Sequence, residues 1–505
     1  MKLTDILKSI ELQKTSGDIN CEVSGLAYDS RSVSKGTLFV AIKGLKTDGH
    51  LYIKNALEQG AAAILAEHEP AGITIPAGVT IIITADTRKA VAIAAVNYFR
   101  NPSRELSVIG ITGTNGKTTT SYIIRSILEN AGNKVGLLGT IFWSDGDKIS
   151  EAEHTTPEAV DFQYLLREMA DNGCTFAVTE VSSHSLALNR VYGTDFSTAV
   201  FTNLTQDHLD FHTDMEDYFN AKSLLFSGMS LHHSSVINSD DPYGRRLLEM
   251  SRCRKFSYGL DSSADIRGEN ISLTINGIEF DLTTPAGHIH IKSKLVGIHN
   301  VYNILAAAGA ALSNNIPLEK IASGISSVTS VPGRFERIDC GLGFSIVVDY
   351  AHTENALRLL LEAARQFSPK RIITVFGCGG DRDRGKRPLM GSTAVELSDY
   401  VIVTSDNPRS EEPEQIIKEV VSGINEAIKK GTARAAGYVT IPDRRTAIEE
   451  AIRTAEQDDI VLIAGKGHED YQIIGRERLH FDDREEAIKA VSRRISNEAM
   501  SKKKQ

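Results

Sequence analysis

Leu106-Ser-Val-Ile-Gly-Ile-Thr-Gly-Thr-Asn-Gly-Lys-Thr-Thr-Thr120 is the stretch that decides the fold. An apolar β-rich run passes into a glycine turn. The turn opens a pattern in which Ile123, Ile124, Ile127, Leu128 and Ala131 recur at helical spacing. Strand, glycine turn and helix form the context in which backbone N–H groups and a helix N-terminus cradle phosphate. Gly113 and Gly116 let the loop turn inward. Lys117 is placed to meet the β- and γ-phosphates of ATP, and the Thr118 hydroxyl to meet magnesium. The full pattern G-x-x-x-x-G-K-[ST] misses one position, where Ile111 replaces the first glycine. A surface lysine on an ordinary βα turn is the plainer reading, and Gly-Lys-Thr-Thr-Thr in this setting outweighs it.

Working outward, short apolar runs alternate with helical patterns, the signature of βαβ units around mostly parallel sheets. Strands are predicted over 37–42, 61–66 and 79–84, then 106–112, 135–140, 176–181, 198–203 and 235–238. A third group covers 346–349, 371–376, 401–405 and 460–464. Asn101-Pro-Ser-Arg-Glu and Ser330-Val-Pro-Gly-Arg read as linkers, which divides the chain into residues 1–102, 103–332 and 333–505. Alternation over 271–274, 278–282 and 289–294 predicts a small antiparallel insertion. The expected fold is α/β with three domains: a central, mostly parallel phosphate-loop sheet flanked by helices, and a Rossmann-like C-terminal domain. A length of 505 residues, beyond what one core supports, agrees.

A formal net charge of -9 and no long basic stripe argue against nucleic acid or anionic membrane as partners. The basic run at 502–504 reads as a frayed terminus. Cys21, Cys174, Cys253, Cys340 and Cys378 are scattered and odd in number, which fits a reducing cytoplasm. Asp5 and Lys8 interrupt any signal-peptide core, and no apolar run is long enough to span a membrane. A cytoplasmic monomer is expected.

Ligands of open α/β sheets gather at the carboxyl ends of strands. Glu180 closes the 176–181 run and His208 follows 198–203, so both are expected beside the phosphate loop. A carboxylate, an imidazole and the Thr118 hydroxyl could then hold magnesium around a transferring γ-phosphate. Each residue alone reads as an ordinary loop start; the set after a phosphate loop does not. Lys222, after His212-Thr-Asp-Met-Glu-Asp-Tyr, reads only as a lysine on a capped helix.

The shortened loop Thr112-Gly113-Thr114-Asn115-Gly116-Lys117-Thr118, with Thr119 next, resembles that of the Mur ligase superfamily, and the resemblance continues across nearly the whole chain. It implies that Lys222 is carbamylated by carbon dioxide and helps bind a second magnesium. It also implies that Asn303 in His299-Asn-Val-Tyr-Asn303 contacts adenine, and that Arg334 and Asp349 approach the nucleotide from an interdomain hinge. Where the family has a proline, this chain has Glu354.

Folylpolyglutamate synthetases of this superfamily start close to their phosphate loop, whereas about one hundred residues precede it here. Asp29-Ser30-Arg31, the run 37–44 and Asp48-Gly-His resemble a uridine-nucleotide-binding domain, with Ser30 contacting the nucleotide and 45–47 passing uracil. Thr155, Thr156, Ser182 and Arg190 match sites for a sugar-peptide substrate; the glutamine some members carry two residues before the arginine is Leu188 here. The segment containing Arg382, the tetrapeptide Asp406-Asn407-Pro408-Arg409 and the segment Gly465-Lys-Gly-His-Glu469 all follow predicted strands. The tetrapeptide resembles the D-N-P-R motif of members that add meso-diaminopimelate, whose lysine-adding relatives lack the arginine.

The resemblance therefore implies an ATP-dependent amide ligase of cell-wall precursor synthesis. It would join meso-2,6-diaminopimelate to UDP-N-acetylmuramoyl-L-alanyl-D-glutamate through an acyl-phosphate. The rivals are an L-lysine-adding or other Mur ligase, separated by Arg409, and a non-catalytic nucleotide-binding protein, opposed by Lys117, Glu180, His208 and Lys222.

Overall fold

The computed structural model describes residues 1–44, 47–274, 276–338 and 340–502. Residues 45 and 46 of the stretch expected beside uracil, and 503 and 504 of the basic run, lie outside the described residues. Three large sheets succeed one another along the chain, and Tyr471–Ile474 and Glu477–His480 add a two-stranded one. The first runs Lys14–Ser16, Thr80–Ile83, Ala63–Ala66, Thr37–Val40 and Gly25–Ala27, parallel except for its first strand. The third runs Glu336–Ile338, Ser345–Asp349, Ile460–Ala464, Ile372–Phe376, Tyr400–Val403 and Tyr438–Thr440, again parallel beyond its first strand. This is a three-domain α/β architecture.

In the second sheet Ser107–Thr112 lies between Phe176–Glu180 and Phe196–Phe201, parallel to both. Their registers pair Glu180 with Ile111 and Phe201 with Thr112, so all three strands end at one rim. The apolar stripe expected after Gly116 is realised in the helix Lys117–Asn130. Its Ile123, Ile124, Ile127 and Leu128 are fully buried in the core that the helices Ile298–Ser313 and Leu318–Ser327 share. Each such side chain stabilises by about 1.5–3 kcal/mol. That packing holds the N-terminus of the helix, and hence the loop, still.

The antiparallel segment is not a separate insertion. Ile266–Thr274 pairs parallel with Arg254–Gly259, and Gly277–Thr284 and Gly287–Ser293 follow antiparallel, so the hairpins extend the central sheet. Glu354 is the first residue of the helix Glu354–Arg365, whose Ala356 N–H is capped by Thr353 Oγ1 at 3.3 Å. Proline and glutamate are both favoured at that position, one for its fixed φ and one for its charge at the helix dipole. Among the described residues no helix is long and apolar enough to cross a membrane.

Candidate active site

The loop folds as its glycines require. Gly113 and Gly116 have φ of +149° and +89°, and a Cβ on them would collide with the Thr202 hydroxyl and with Asn303 Oδ1. The loop is tied to the next strand end: Asn115 N–H donates to Asn203 Oδ1 at 2.9 Å, and Thr114 N–H to the Asn203 carbonyl at 2.8 Å. Gly113→Ala is therefore expected to abolish Mg·ATP binding in calorimetry; affinity within about threefold of wild type would contradict a cradle set by this turn.

Glu180 and Thr118 meet as expected. Glu180 Oε2 accepts from the Thr118 and Thr140 hydroxyls, each at 2.9 Å, and Oε1 from the Thr140 N–H at 3.0 Å. Thr140 was legible in principle, since it follows the parallel strand Val135–Leu138 at the same rim. Arg334 reaches Thr118 Oγ1 at 3.3 Å and lies over the Tyr350 ring. Asp349 accepts the Phe335 and Ala351 N–H groups at 2.6 and 2.7 Å, and burial raises its pKa.

Lys117 Nζ donates to the Gly113 and Thr114 carbonyls, both at 2.9 Å. Lys222, on the helix Met215–Ser227, puts its Nζ on the same Gly113 carbonyl at 2.9 Å and is 1% exposed. Burial, then the charge of Lys117, pushes its pKa well below the usual ammonium range. Burial also pushes His208 down to about 3, so its imidazole is neutral at pH 7 and keeps a lone pair.

The rim of the central sheet faces two cavities. One, of about 360 Å³, is lined by Asn115, Gly116, Thr119, Asn303, Arg334 and Asp349 among others, which unites most of the expected nucleotide residues. Asn303 Nδ2 is anchored on Asn300 Oδ1 at 2.8 Å. The helix Glu354–Arg365 of the third domain closes it through Asn355, Ala356, Leu359 and Leu360, which sequence reasoning did not single out.

The other cavity, of about 330 Å³, gathers Thr155, His208, Arg382, Asp406, Asn407, Arg409, Gly465 and Glu469. Its walls are of two signs. Arg409 Nη1 donates to the Gly380 carbonyl at 2.7 Å, and burial followed by Arg382 lowers its pKa, so two guanidiniums crowd one end. Asp406 and Glu469 crowd the other, and burial followed by Asp406 raises the pKa of Glu469. Fully buried Lys466 stands between them, 3.0 Å from Glu469 Oε2 and 3.7 Å from Asp406 Oδ1. Asp406 Oδ1 is buried and accepts no hydrogen bond, Lys466 being its ion-pair neighbour. Pro408 shapes the loop, its carbonyl packed against Gly380.

Thr156, Ser182 and Arg190 form a cluster behind Glu180. Thr156 Oγ1 donates to the Glu180 carbonyl at 2.8 Å, and Arg190 Nη1 to the Thr156 carbonyl at 3.0 Å. Ser182 Oγ caps Ser185 N–H at 3.1 Å. Arg190 is also paired with Glu158 at 2.8 Å, itself 3.8 Å from Arg88 of the first domain. Leu188 caps the carboxyl end of the helix Ser183–Ala187. Ser30 opens the short helix Ser30–Ser32 and is not among the residues lining either cavity.

Three family models match consecutive parts of the chain: Mur ligase family, catalytic domain over 22–105; Mur ligase middle domain over 111–311; and Mur ligase, glutamate ligase domain over 333–467. The chain belongs to the Mur ligase family. A relative from Clostridium acetobutylicum, UDP-N-acetylmuramoyl-L-alanyl-D-glutamate--2,6-diaminopimelate ligase 1, is 45% identical over 487 residues, covering 96% of this chain and 98% of its own. The ligase named for the same substrates in Clostridioides difficile is 45% identical over 498 residues, covering 98% of this chain and all of its own (100%). A solved structure of a ligase named for those substrates superposes with a TM-score of 0.68 at 33% identity, covering 98% of this chain and 99% of that one. The MurF ligase of Thermotoga maritima in complex with ADP shares the fold, with a TM-score of 0.61 at 19% identity over 94% of this chain and 98% of that one.

Proposed function

We propose that this Mur ligase is the ATP-dependent enzyme that joins meso-2,6-diaminopimelate to UDP-N-acetylmuramoyl-L-alanyl-D-glutamate in peptidoglycan precursor synthesis. The observation that carries the reading is the two-signed cavity opening onto the rim of the phosphate loop. Its arginine end suits a carboxylate and its carboxylate end an ammonium, which is the distal amino-acid head of diaminopimelate. The relatives named for this reaction support it over the full length of the chain.

The three segments 1–102, 103–332 and 333–505 divide the work as uridine-substrate, ATP and amino-acid domains. ATP lies over the loop 113–119, with adenine toward Asn303 and Arg334 and Asp349 at the nucleotide. The D-glutamate γ-carboxylate takes the γ-phosphoryl group, and the diaminopimelate amine attacks the acyl-phosphate, expelling phosphate. Lys117 neutralises charge on the transferring group. Thr155, Thr156, Ser182 and Arg190 hold the sugar-peptide and Ser30 the uridine nucleotide. Closure of the third domain excludes water from the acyl-phosphate.

Glu180 Oε2 and Thr118 Oγ1, 2.9 Å apart, are hard oxygen donors that fit magnesium. Among the described residues no group of three or more His, Cys, Asp or Glu is arranged to hold a metal alone; phosphate oxygens, water and neutral His208 would complete the set around a bound ion. Bound magnesium would supply charge neutralisation at the γ-phosphate. A carbamate on Lys222 would add the oxygen ligand that its amine cannot.

The products are expected to be ADP and phosphate, because a Gly-Lys-Thr loop stabilises charge moving at the γ-phosphate. Chromatography of nucleotides during turnover checks this. Stoichiometric AMP would sink the acyl-phosphate mechanism.

A further inference from the structure

Asp207 sits beside His208 in the loop after Phe196–Phe201, and its side chain is almost fully buried. Its Oδ1 accepts the His208 N–H at 2.9 Å, while Oδ2 lies 3.5 Å from His208 Nε2 and 3.8 Å from His352 Nε2. His208 has φ of +56°, a left-handed conformation that non-glycine residues adopt seldom. The bond its N–H donates to Asp207 Oδ1 supports that conformation.

Two groups facing Asp207 cross from the third domain, His352 and Lys386, and Lys386 is the cation of the two. Lys386 Nζ is 3.6 Å from Asp207 Oδ1, with both side chains less than a tenth exposed. Lys386 opens the helix Lys386–Leu397, where the macrodipole is positive and a cation is disfavoured. Among the described residues Asp207 is the one carboxylate within 4.0 Å of it. A buried cation at the wrong end of a helix is stable only while a counter-charge is present. Here the counter-charge belongs to another domain, so the placement of Lys386 depends on the two domains meeting.

We infer that Asp207 and Lys386 form a closing latch that couples the seating of the amino-acid domain to the fixing of His208 at the phosphate loop. Both are positioning residues, acting through His208. The loop 379–385, which carries Arg382 into the second cavity, runs directly into Lys386. Seating that loop therefore brings the amino-acid site and the latch into place together. The latch rests on the ligase reading for its kinetic consequences but not for its existence.

The test compares wild type, Lys386→Met, Lys386→Arg, Asp207→Asn and the double variant Asp207→Asn/Lys386→Met. Small-angle scattering with Mg²⁺ and a non-hydrolysable ATP analogue should show compaction of wild type and Lys386→Arg, and none for the other three. With the full substrates, Lys386→Met should lose about a hundredfold in kcat while affinity for the uridine substrate stays within about twofold. The double variant should be no worse than either single one, since both remove one interaction. Asp207→Asn, nearly isosteric, serves as the decisive variant should Lys386→Met fail to fold. Compaction of Lys386→Met and Asp207→Asn equal to wild type, or a kcat within about threefold of it, would overturn the latch. Absence of amino-acid-dependent ADP release by wild type would instead overturn the ligase reading, and scattering would still decide the latch.

Discussion

Lys222→Ala is expected to lower kcat on the order of 100- to 1,000-fold while leaving binding of the uridine substrate in the absence of ATP intact. Lys222 and Lys117 share the Gly113 carbonyl at 2.9 Å each, an arrangement that two ammonium charges would resist. Burial and Lys117 together push the Lys222 pKa far down, so the neutral amine is readily reached. That is the form that would attack carbon dioxide: an N–C bond would form, a proton would pass to water, and the side chain would end as an anionic carbamate. The sign of the interaction with Lys117 would then reverse from repulsion to attraction. The nearly complete burial of Lys222 protects such a carbamate from bulk water. A short carboxylate such as formate should partly restore Lys222→Ala by replacing the missing oxygen ligand. Turnover and uridine-substrate affinity, measured with and without formate, check this. Near-normal turnover of Lys222→Ala in carbon-dioxide-depleted buffer would show that no carbamate is needed.

Arg409→Ala is expected to damage kcat/KM for meso-diaminopimelate far more than the already poor value for L-lysine. The two amino acids differ by one distal carboxylate. A guanidinium meets that group with two parallel charge-assisted hydrogen bonds, which an ammonium cannot do. Arg409 is aimed by its backbone, whose N–H donates to the Ile473 carbonyl at 3.1 Å, and by Nη1 on the Gly380 carbonyl. Its φ of +53° turns the chain sharply at this point. With Arg382 beside it, an empty or lysine-filled pocket leaves two like charges facing each other. Leaving such a charge unpaired in a closed site costs about 2–5 kcal/mol, roughly 30- to several-thousand-fold in discrimination. Both ratios, measured at fixed ATP for wild type and Arg409→Ala, check the prediction; equal losses for the two amino acids would contradict it.

The sequence made the central machinery legible because phosphate chemistry constrains backbone and side chains together. Gly113, Gly116, Lys117 and Thr118 occupy positions only a strand–turn–helix can supply, and Glu180 follows from the strand-end rule. Fully buried parallel strands such as Ile460–Ala464 read as continuous apolar runs. Short exposed strands did not: Ile149–Glu151 and Glu477–His480 are exposed throughout and hold one apolar residue each, too few to make a pattern. The extension of the central sheet by Ile266–Thr274 was hidden because alternation marks a strand but not its partner. Contacts between domains were also hidden. Lys466 stood inside a quoted segment and Lys386 follows Arg382 closely, yet nothing local distinguishes a buried lysine from a solvated one. Lys466 is recognised only through Asp406 and Glu469, about sixty and three residues away in sequence.

Amino-acid-dependent ADP formation by the wild-type protein is the most direct measurement. ATP, Mg²⁺ and UDP-N-acetylmuramoyl-L-alanyl-D-glutamate are held fixed while meso-diaminopimelate, L-lysine and other amino acids are varied. ADP release should depend on the amino acid and be fastest with meso-diaminopimelate, at least about tenfold above L-lysine in kcat/KM. Use of L-lysine within about tenfold of diaminopimelate, or ADP release indifferent to the amino acid, would contradict it.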